Sequence, residues 1–124
     1  MIWKLTDDRP IWIQLTEQLT LHIVSGIYAP GAAVPTVRAL AAEAGVNPNT
    51  MQRALADLET KGLVETRRTA GRMVTEDLSL IHDVRQKLAY SRMEEFLASM
   101  RALGYTDQQT YELLAEQNKK EEYV

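Results

Sequence analysis

The first part of the chain has the spacing of apolar residues that is typical of an amphipathic helix. After Pro10, which we place at the first helical position because no N–H is needed there, apolar residues recur at every fourth position. Gly26 is expected to end this helix, and residues 28–35, with two prolines and a glycine, are predicted to form a loop. The buried face of the helix is predicted to contain Ile11, Leu15, Leu19 and Ile23.

Two shorter helices are predicted next, with a tight turn between them. Thr36 is a good N-cap for a helix that runs to about Ala44, and Gly45 then begins the turn. A third helix opens with Asn47 as its N-cap and proline at its first position, and it continues to about residue 61. The inward-facing residues of these two helices are predicted to be Leu40, Ala41, Met51, Ala54, Leu55 and Leu58.

A β-hairpin is predicted after the third helix. Residues 63–66 and 72–75 are β-prone and flank the short segment Arg67-Arg-Thr-Ala-Gly71, so the tip of the hairpin is rich in arginine. A short helix, a glycine-containing turn and a second helix form a helix-turn-helix pattern. Because a two-stranded hairpin follows directly, the pattern predicts a winged helix-turn-helix.

The remaining chain is predicted to form two helices. The first runs from residue 78 to residue 103 and stops at Gly104, and Thr106 with Gln109 has the form of a capping box for the second. The tail, residues 119–124, is expected to fray. The long helix has an apolar stripe that a two-helix segment cannot cover by itself, and it contains Ile81, Val84, Leu88, Met93, Phe96, Met100 and Leu103.

These elements predict an α+β fold that is mostly helical. We expect a winged helix-turn-helix domain in residues 1–76, followed by a two-helix dimerisation or effector segment in residues 77–124. We predict that the apolar stripe packs across the two-fold axis of a homodimer. The alternative is that it folds back on the winged helix of its own subunit, and a stripe of which part does both also stays open.

The composition fits this interpretation and excludes several kinds of site. The chain has 124 residues, of which 45% are apolar and 25% charged, as in ordinary globular proteins. It has no cysteine, so disulfides and thiolate metal sites are excluded, and His22 and His82 lack a cysteine to complete a metal site. No apolar run approaches the roughly 20 residues that cross a bilayer. We therefore expect a soluble cytoplasmic protein with no cofactor, no metal and no membrane partner.

The net charge of −3 conceals an uneven distribution of charge along the chain. Residues 1–76 carry eight basic and eight acidic side chains, so the whole deficit lies in residues 77–124. Residues 47–75 carry five basic and three acidic side chains, which predicts a modest positive surface at the third helix and the hairpin.

The chemistry of that surface suits duplex DNA. The start of the third helix would enter the major groove, where asparagine and glutamine can pair with adenine and arginine with guanine. The candidates for this role are Asn47, Asn49, Thr50, Gln52 and Arg53. The hairpin arginines would contact phosphates or a narrow minor groove, and they are Arg67, Arg68 and Arg72.

Two other classes of function stay open on these residues. Some winged helices bind proteins, so a protein-interaction module without DNA binding is the main alternative. An enzyme is disfavoured, because the sequence has no phosphate-binding glycine loop, no nucleophile elbow and no histidine cluster.

The motifs together resemble the DNA-binding domain of the GntR family of bacterial transcription regulators over about residues 8–75. The matching segments include Pro10-Ile-Trp-Ile-Gln14, Pro30-Gly31, Val34-Pro35, Arg38-Ala-Leu40, Gly45-Val46, Ala54-Leu55, Leu58-Glu59 and Gly62-Leu63. The stretch Val46-Asn-Pro-Asn-Thr50 is similar to the short YtrA-type members. The resemblance implies a transcription regulator, which we expect to be a repressor. It also implies a homodimer that is formed through the two C-terminal helices and binds a palindromic operator. Whether a small-molecule effector controls the protein stays open.

The resemblance also implies further site residues. The family's arginine at the start of the second helix falls on Arg38, and its threonine near the start of the third falls on Thr50. Two helix-three arginines of many members fall on Pro48 and Gln52, so both are absent here, which shifts the expected base contacts toward the neighbouring polar residues. The predicted DNA surface also includes Thr36, the N-cap of the second helix, and the hairpin residues Thr69 and Gly71.

Overall fold

The computed structural model describes residues 2–122 and divides the chain into two compact units, the first ending at Arg85 and the second beginning at Gln86. The sequence-based boundary after residue 76 stays a prediction. The helices are α1 (Ile11–Val24), α2 (Val37–Ala44), α3 (Pro48–Thr60), α4 (Leu78–Ala102) and α5 (Asp107–Glu122). The strands are β1 (Val64–Arg67) and β2 (Gly71–Val74). The mostly helical α+β fold is therefore confirmed.

The core of the first unit forms where α3 packs against α1, α2 and β1. The predicted inward faces of the three helices are buried, apart from Ile11, which is half-buried. Burial of these side chains is the main driving force for the packing. The residues that are at most 2% exposed in this core include Leu15, Leu19, Ile23, Leu40, Met51, Leu55, Leu58, Leu63, Val64 and Val74.

The starts of the first three helices agree with their sequence signals except at Pro10. The Thr36 hydroxyl accepts a hydrogen bond from the amide of Ala39 at 3.1 Å, as an N-cap does. Asn47 caps α3, and proline occupies the first turn as predicted. Pro10 is the N-cap of α1 rather than its first helical residue, because its ψ of 133° is extended.

The turn between α2 and α3 requires a glycine. Gly45 has φ +69°, in the left-handed region, and its amide and that of Val46 bond to carbonyls in the last turn of α2. Glycine adopts this left-handed conformation without a steric penalty because it has no Cβ, whereas every other residue pays a cost there. This conformation ends α2 and redirects the chain so that α3 begins three residues later, at Pro48.

The hairpin is antiparallel, and each strand is shifted by one residue from its predicted bounds. Val64 lies opposite Val74 and Arg67 lies opposite Gly71, so the tip consists of residues 68–70. Gly71, the first residue of β2 after the tip, has φ +74°, a left-handed conformation that glycine adopts without a steric cost from Cβ. On its other edge β2 is joined by the loop before α2, through the bridge between Ala33 and Met73.

The second unit consists of the end of α4, the turn at Gly104 and α5. The predicted capping box is present, since the Thr106 amide donates to Gln109 Oε1 at 2.9 Å and the Gln109 amide donates to Thr106 Oγ1 at 3.1 Å. Arg101 donates from Nε to Asp107 Oδ1 at 2.8 Å, which holds the turn closed. α5 is helical as far as Glu122, so the predicted fraying of the tail stays a prediction; the last two residues lie outside the described part.

Candidate nucleic-acid interface

The start of α3 presents a polar face on the surface of the first unit. Its buried positions recur on one side of the helix, so the opposite side consists of exposed polar residues. Asn47 uses its side-chain oxygen to accept from the Asn49 amide at 2.8 Å, which leaves its side-chain NH2 to donate elsewhere. The predicted base-contacting residues that are exposed are Asn47, Asn49, Gln52 and Arg53, while Thr50 is half-buried.

Arg53 has an aromatic neighbour on another helix. Its guanidinium carbon lies 4.1 Å from the ring centroid of Trp12 on α1. A guanidinium over an indole face is attracted by the ring quadrupole. The contact gives Arg53 a preferred orientation at the edge of the polar face, and the sequence spacing alone did not indicate it.

The start of α2 adds a cation to the same unit. Arg38 lies in the first turn of α2 and is exposed, as is the capping residue Thr36. Arg38 is therefore available to an anionic ligand such as a DNA phosphate.

The hairpin tip, residues 68–70, and the strand residues on either side of it are exposed. Arg67, Arg68, Thr69 and Gly71 are all exposed, as a phosphate-contacting wing requires. The Arg67 side chain is 50% exposed, and its Nη2 lies 4.0 Å from Glu76 Oε1. This ion pair is long and solvated. Such a pair is worth little, so it leaves Arg67 able to exchange Glu76 for a phosphate.

Arg72 differs from the other predicted wing arginines. Its side chain is only 19% exposed, and its Nε donates to Glu59 Oε1 at 2.6 Å. The same oxygen accepts from the Thr66 hydroxyl at 2.6 Å. The hydrogen bonds from Thr66 and Arg72 lower the pKa of Glu59, because they stabilise the charged carboxylate. The role of Arg72 at DNA stays a prediction, and in the free protein this guanidinium has a charged partner, Glu59.

The predicted dimerisation stripe divides between the two units. Ile81 is 7% exposed and belongs to the core of the first unit, so this end of the stripe packs within its own chain, as the alternative interpretation had it. Val84, also in the first unit, is half-buried. The stripe residues in the second unit are more open: Leu88 and Met100 are half-buried, and Met93, Phe96 and Leu103 are exposed.

The second unit also exposes apolar side chains that do not belong to the predicted stripe. Tyr90 on α4 and Tyr111, Leu113 and Leu114 on α5 are each 38–60% exposed. Several of these side chains line a groove of about 520 Å³ between the two helices of the unit. The apolar positions of α5 were visible in the sequence, but their exposure depends on how α5 lies against α4.

The two histidines have ordinary surroundings. His22 is half-buried on α1, with its Nδ1 2.9 Å from the Gln18 carbonyl oxygen and its ring 5.4 Å from that of Tyr28. Within residues 2–122, no group of three or more potential ligands is placed to hold a metal ion. Over the same residues, no helix is long and apolar enough to span a bilayer.

Comparison with known proteins identifies the family. The family model described as "Bacterial regulatory proteins, gntR family" matches residues 13–74, which contain α2, α3 and the hairpin. The HTH-type transcriptional regulator YhcF of Bacillus subtilis is 35% identical over 105 residues, 85% of this chain and 87% of that protein. The HTH-type transcriptional repressor YtrA of the same organism is 38% identical over 68 residues, 55% of this chain and 52% of YtrA.

The fold has a close counterpart among solved structures. A GntR family transcriptional regulator from Listeria monocytogenes superposes with a TM-score of 0.81 at 32% identity, covering 90% of this chain and 98% of that one. The match therefore extends through the C-terminal helices, and the resemblance inferred from the sequence motifs is confirmed. The chain belongs to the gntR family of bacterial regulatory proteins and is a DNA-binding transcriptional regulator.

Proposed function

We propose that this regulator is a repressor that binds a palindromic operator as a homodimer and acts by occupying promoter DNA. One observation carries the proposal: the exposed polar face of α3 and the exposed arginine tip of the hairpin belong to the same compact unit. A helix that reads base edges and a cationic ribbon that contacts the backbone are the two parts that a winged helix uses on a duplex.

Each part of the surface has a proposed task. Base edges in the major groove are read by the start of α3, through Asn47, Asn49, Thr50, Gln52 and Arg53. Phosphates are contacted by Arg38 from α2 and by Arg67 and Arg68 from the hairpin. Thr36, Thr69 and Gly71 lie along this surface and bring their backbone and hydroxyl groups to the sugar-phosphate chain.

The second unit supplies the symmetry. One winged helix carries too few base contacts to select a single site in a genome, and two copies related by a two-fold axis double them. The exposed apolar residues of α4 and α5 support an interface between two copies, because contiguous apolar surface of this kind marks an interaction site. The operator then consists of two inverted half-sites.

Repression rather than activation is proposed from the relative YtrA, which is named as a repressor. A protein that competes with RNA polymerase for promoter DNA needs no further surface than the one described. Its place of action is the bacterial cytoplasm, where the chromosome lies.

Selection of bound fragments from random duplex DNA tests the proposal. We expect enrichment of an inverted repeat whose half-site spacing reports the dimer geometry. Binding to that repeat should weaken linearly on a plot of log affinity against log salt, because counterions are released from phosphates. The control variant Lys87→Ala, on the exposed surface of α4 on the opposite side of the helix from Phe96, should leave both results unchanged.

Two outcomes would contradict the proposal. Absence of any enriched sequence together with a flat salt dependence would favour the protein-interaction module. An enriched sequence without inverted symmetry would exclude the dimeric operator. Transcription in vitro from a promoter that overlaps the selected repeat should fall when the protein is added, and a rise would exclude repression.

A further inference from the structure

Glu59, near the end of α3, joins this helix to both strands of the hairpin through one oxygen atom. Its Oε1 accepts from Thr66 Oγ1 and from Arg72 Nε, each at 2.6 Å. Thr66 and Arg72 lie directly opposite each other in the strand register. A single carboxylate oxygen therefore holds a cross-strand pair, one residue from each strand.

The two hydrogen bonds that Glu59 accepts are strong for hydrogen bonds in a protein. Both are short, and the one from Arg72 joins opposite charges in a partly shielded place, with 19% of the arginine and 33% of the glutamate side chain exposed. Charge-assisted hydrogen bonds of this length are roughly twice as strong as neutral ones. The lowered pKa of Glu59 agrees with a carboxylate that is stabilised in its charged form.

The position of this cluster along the hairpin determines what it can do. The pair next to it, toward the tip, is Arg67 and Gly71, and Arg68 follows in the loop. At the same level on the other edge of β2, the Val34 amide donates to the Arg72 carbonyl at 2.9 Å. The hairpin is thus attached on two sides at Arg72, immediately before the segment that carries the exposed arginines.

We propose that Glu59 is a positioning residue for DNA binding, which fixes the hairpin to α3 through Thr66 and Arg72. The inference rests on the proposed function, in which the tip arginines and the polar face of α3 contact one duplex together. A hairpin already held at its bound orientation does not have to be ordered on binding, and this saving appears as affinity. Arg72 in this arrangement acts on the hairpin rather than on the duplex.

Amide hydrogen exchange in the absence of DNA gives the first test. Glu59→Ala keeps a good helix former at the site but removes both bonds. We expect faster exchange of the hairpin amides with unchanged rates in α1 and α2. Unchanged exchange in the hairpin would overturn the proposal, whatever the protein does with DNA.

Asp57→Ala is the matched control. Asp57 is a carboxylate on the same helix, 27% exposed, and it is bonded at 2.8 Å to Lys61 rather than to the hairpin. We expect wild-type exchange in the hairpin of this variant. Equal effects of the two substitutions would mean that loss of any carboxylate on α3 loosens the hairpin, and the proposal would fail.

Binding to the selected operator over a salt series gives the second test. Glu59→Ala should flatten the log-log slope by about 1–2, as the loss of one or two phosphate contacts does. In an Arg67→Ala/Arg68→Ala background, the same substitution should change little, because the arginines that it positions are gone. An equal loss of affinity in both backgrounds would overturn the proposal.

These tests separate the proposal from the function on which it rests. If the wild-type chain selects no duplex, the proposed function fails and the exchange experiment still decides whether Glu59 fixes the hairpin. If Glu59→Ala does not fold, as judged by thermal unfolding, Glu59→Gln takes its place, since the amide removes the charge and keeps the size.

Discussion

Asn49 and Gln52 differ from Arg67 and Arg68 in what their side chains can recognise. An amide on α3 pairs with one kind of base edge, whereas a guanidinium on the hairpin tip is attracted by every phosphate. The two classes of residue should therefore separate when affinity is measured on a set of related duplexes rather than on one.

We predict that Gln52→Ala or Asn49→Ala costs about 1–3 kcal/mol on the selected operator and little on operators already mutated at the contacted base pair. Arg67→Ala or Arg68→Ala should instead weaken binding to all duplexes alike and reduce the salt slope by about 1. Fluorescence anisotropy with labelled duplexes measures both. If the two classes of variant changed affinity in the same way across operator variants, this division of tasks would be wrong.

Trp12 should matter to DNA binding without touching DNA, through its contact with Arg53. Trp12→Leu removes the aromatic face under the guanidinium, a contact worth about 0.5–1 kcal/mol at an exposed site. We predict an affinity loss of roughly two- to fivefold, and none when Arg53 is already alanine. Trp12→Phe, which keeps an aromatic face, should lose less than Trp12→Leu. Equal losses with and without Arg53 would show that Trp12 acts only through general packing.

The residues of the candidate surface could largely be predicted from the sequence, but their bonds could not. Capping and burial follow from local spacing, so the exposure of Asn47, Asn49 and Gln52 was predictable. Arg72 was assigned to DNA because it is an arginine on a wing. That assignment stays a prediction, but the sequence did not indicate its neighbour Glu59, which is 13 residues away in the chain and meets it only after the hairpin folds onto α3.

The turn between α2 and α3 is the element on which the orientation of α3 depends. Gly45 has left-handed backbone, and a Cβ added there would meet no atom within 4 Å. A substitution therefore introduces backbone strain without a steric clash, which makes this position a clean test of the conformation.

We predict that Gly45→Ala lowers the free energy of unfolding by about 1 kcal/mol, because an L-residue pays that cost in the left-handed region. Gly45→Asn should lose less, since asparagine tolerates this conformation. Chemical denaturation of the three proteins measures the order, which should be glycine, then asparagine, then alanine. Alanine as stable as glycine would contradict the role of the turn.

Three helix starts had a more direct signal in this sequence than the strand bounds had, for a physical reason. Caps such as Thr36, Asn47 and Thr106 mark helix starts within one residue. The strands begin and end one residue away from their predicted bounds, because pairing continues past the β-prone residues to Arg67 and Gly71. The register depends on the loop conformation, which one glycine determines.

The whole chain carries two kinds of surface in separate units, polar and cationic in the first and apolar in the second. The sequence predicted both kinds and left open a division of the apolar stripe, but it did not indicate where the division falls. Ile81 is buried within the first unit, whereas Phe96 and Leu114 in the second are 41% and 47% exposed. Periodicity could not show where the stripe changes from core to surface, because a helix has the same spacing on both sides of that point.

We predict a homodimer at micromolar concentration that is held together by the second unit. Phe96→Glu places a charge in the apolar surface, and burying it unpaired in an interface is costly. The variant should sediment as a single chain under conditions in which the wild type sediments at twice the chain mass. Ser91→Asp adds the same charge on the exposed surface of α4, on the side of the helix turned away from Phe96, and should leave the dimer intact.

The dimer should also decide how the regulator chooses its site. A monomeric Phe96→Glu variant that retains its helix content should bind a duplex with one half-site as well as the wild type does, since the first unit is unchanged. On the full inverted repeat it should lose the gain that the second half-site gives, because two linked winged helices bind at high effective concentration. A wild-type protein that sediments as one chain at micromolar concentration would refute the dimer. A Phe96→Glu variant that stays dimeric would place the interface elsewhere, and the apolar surface of α4 and α5 would then need another partner.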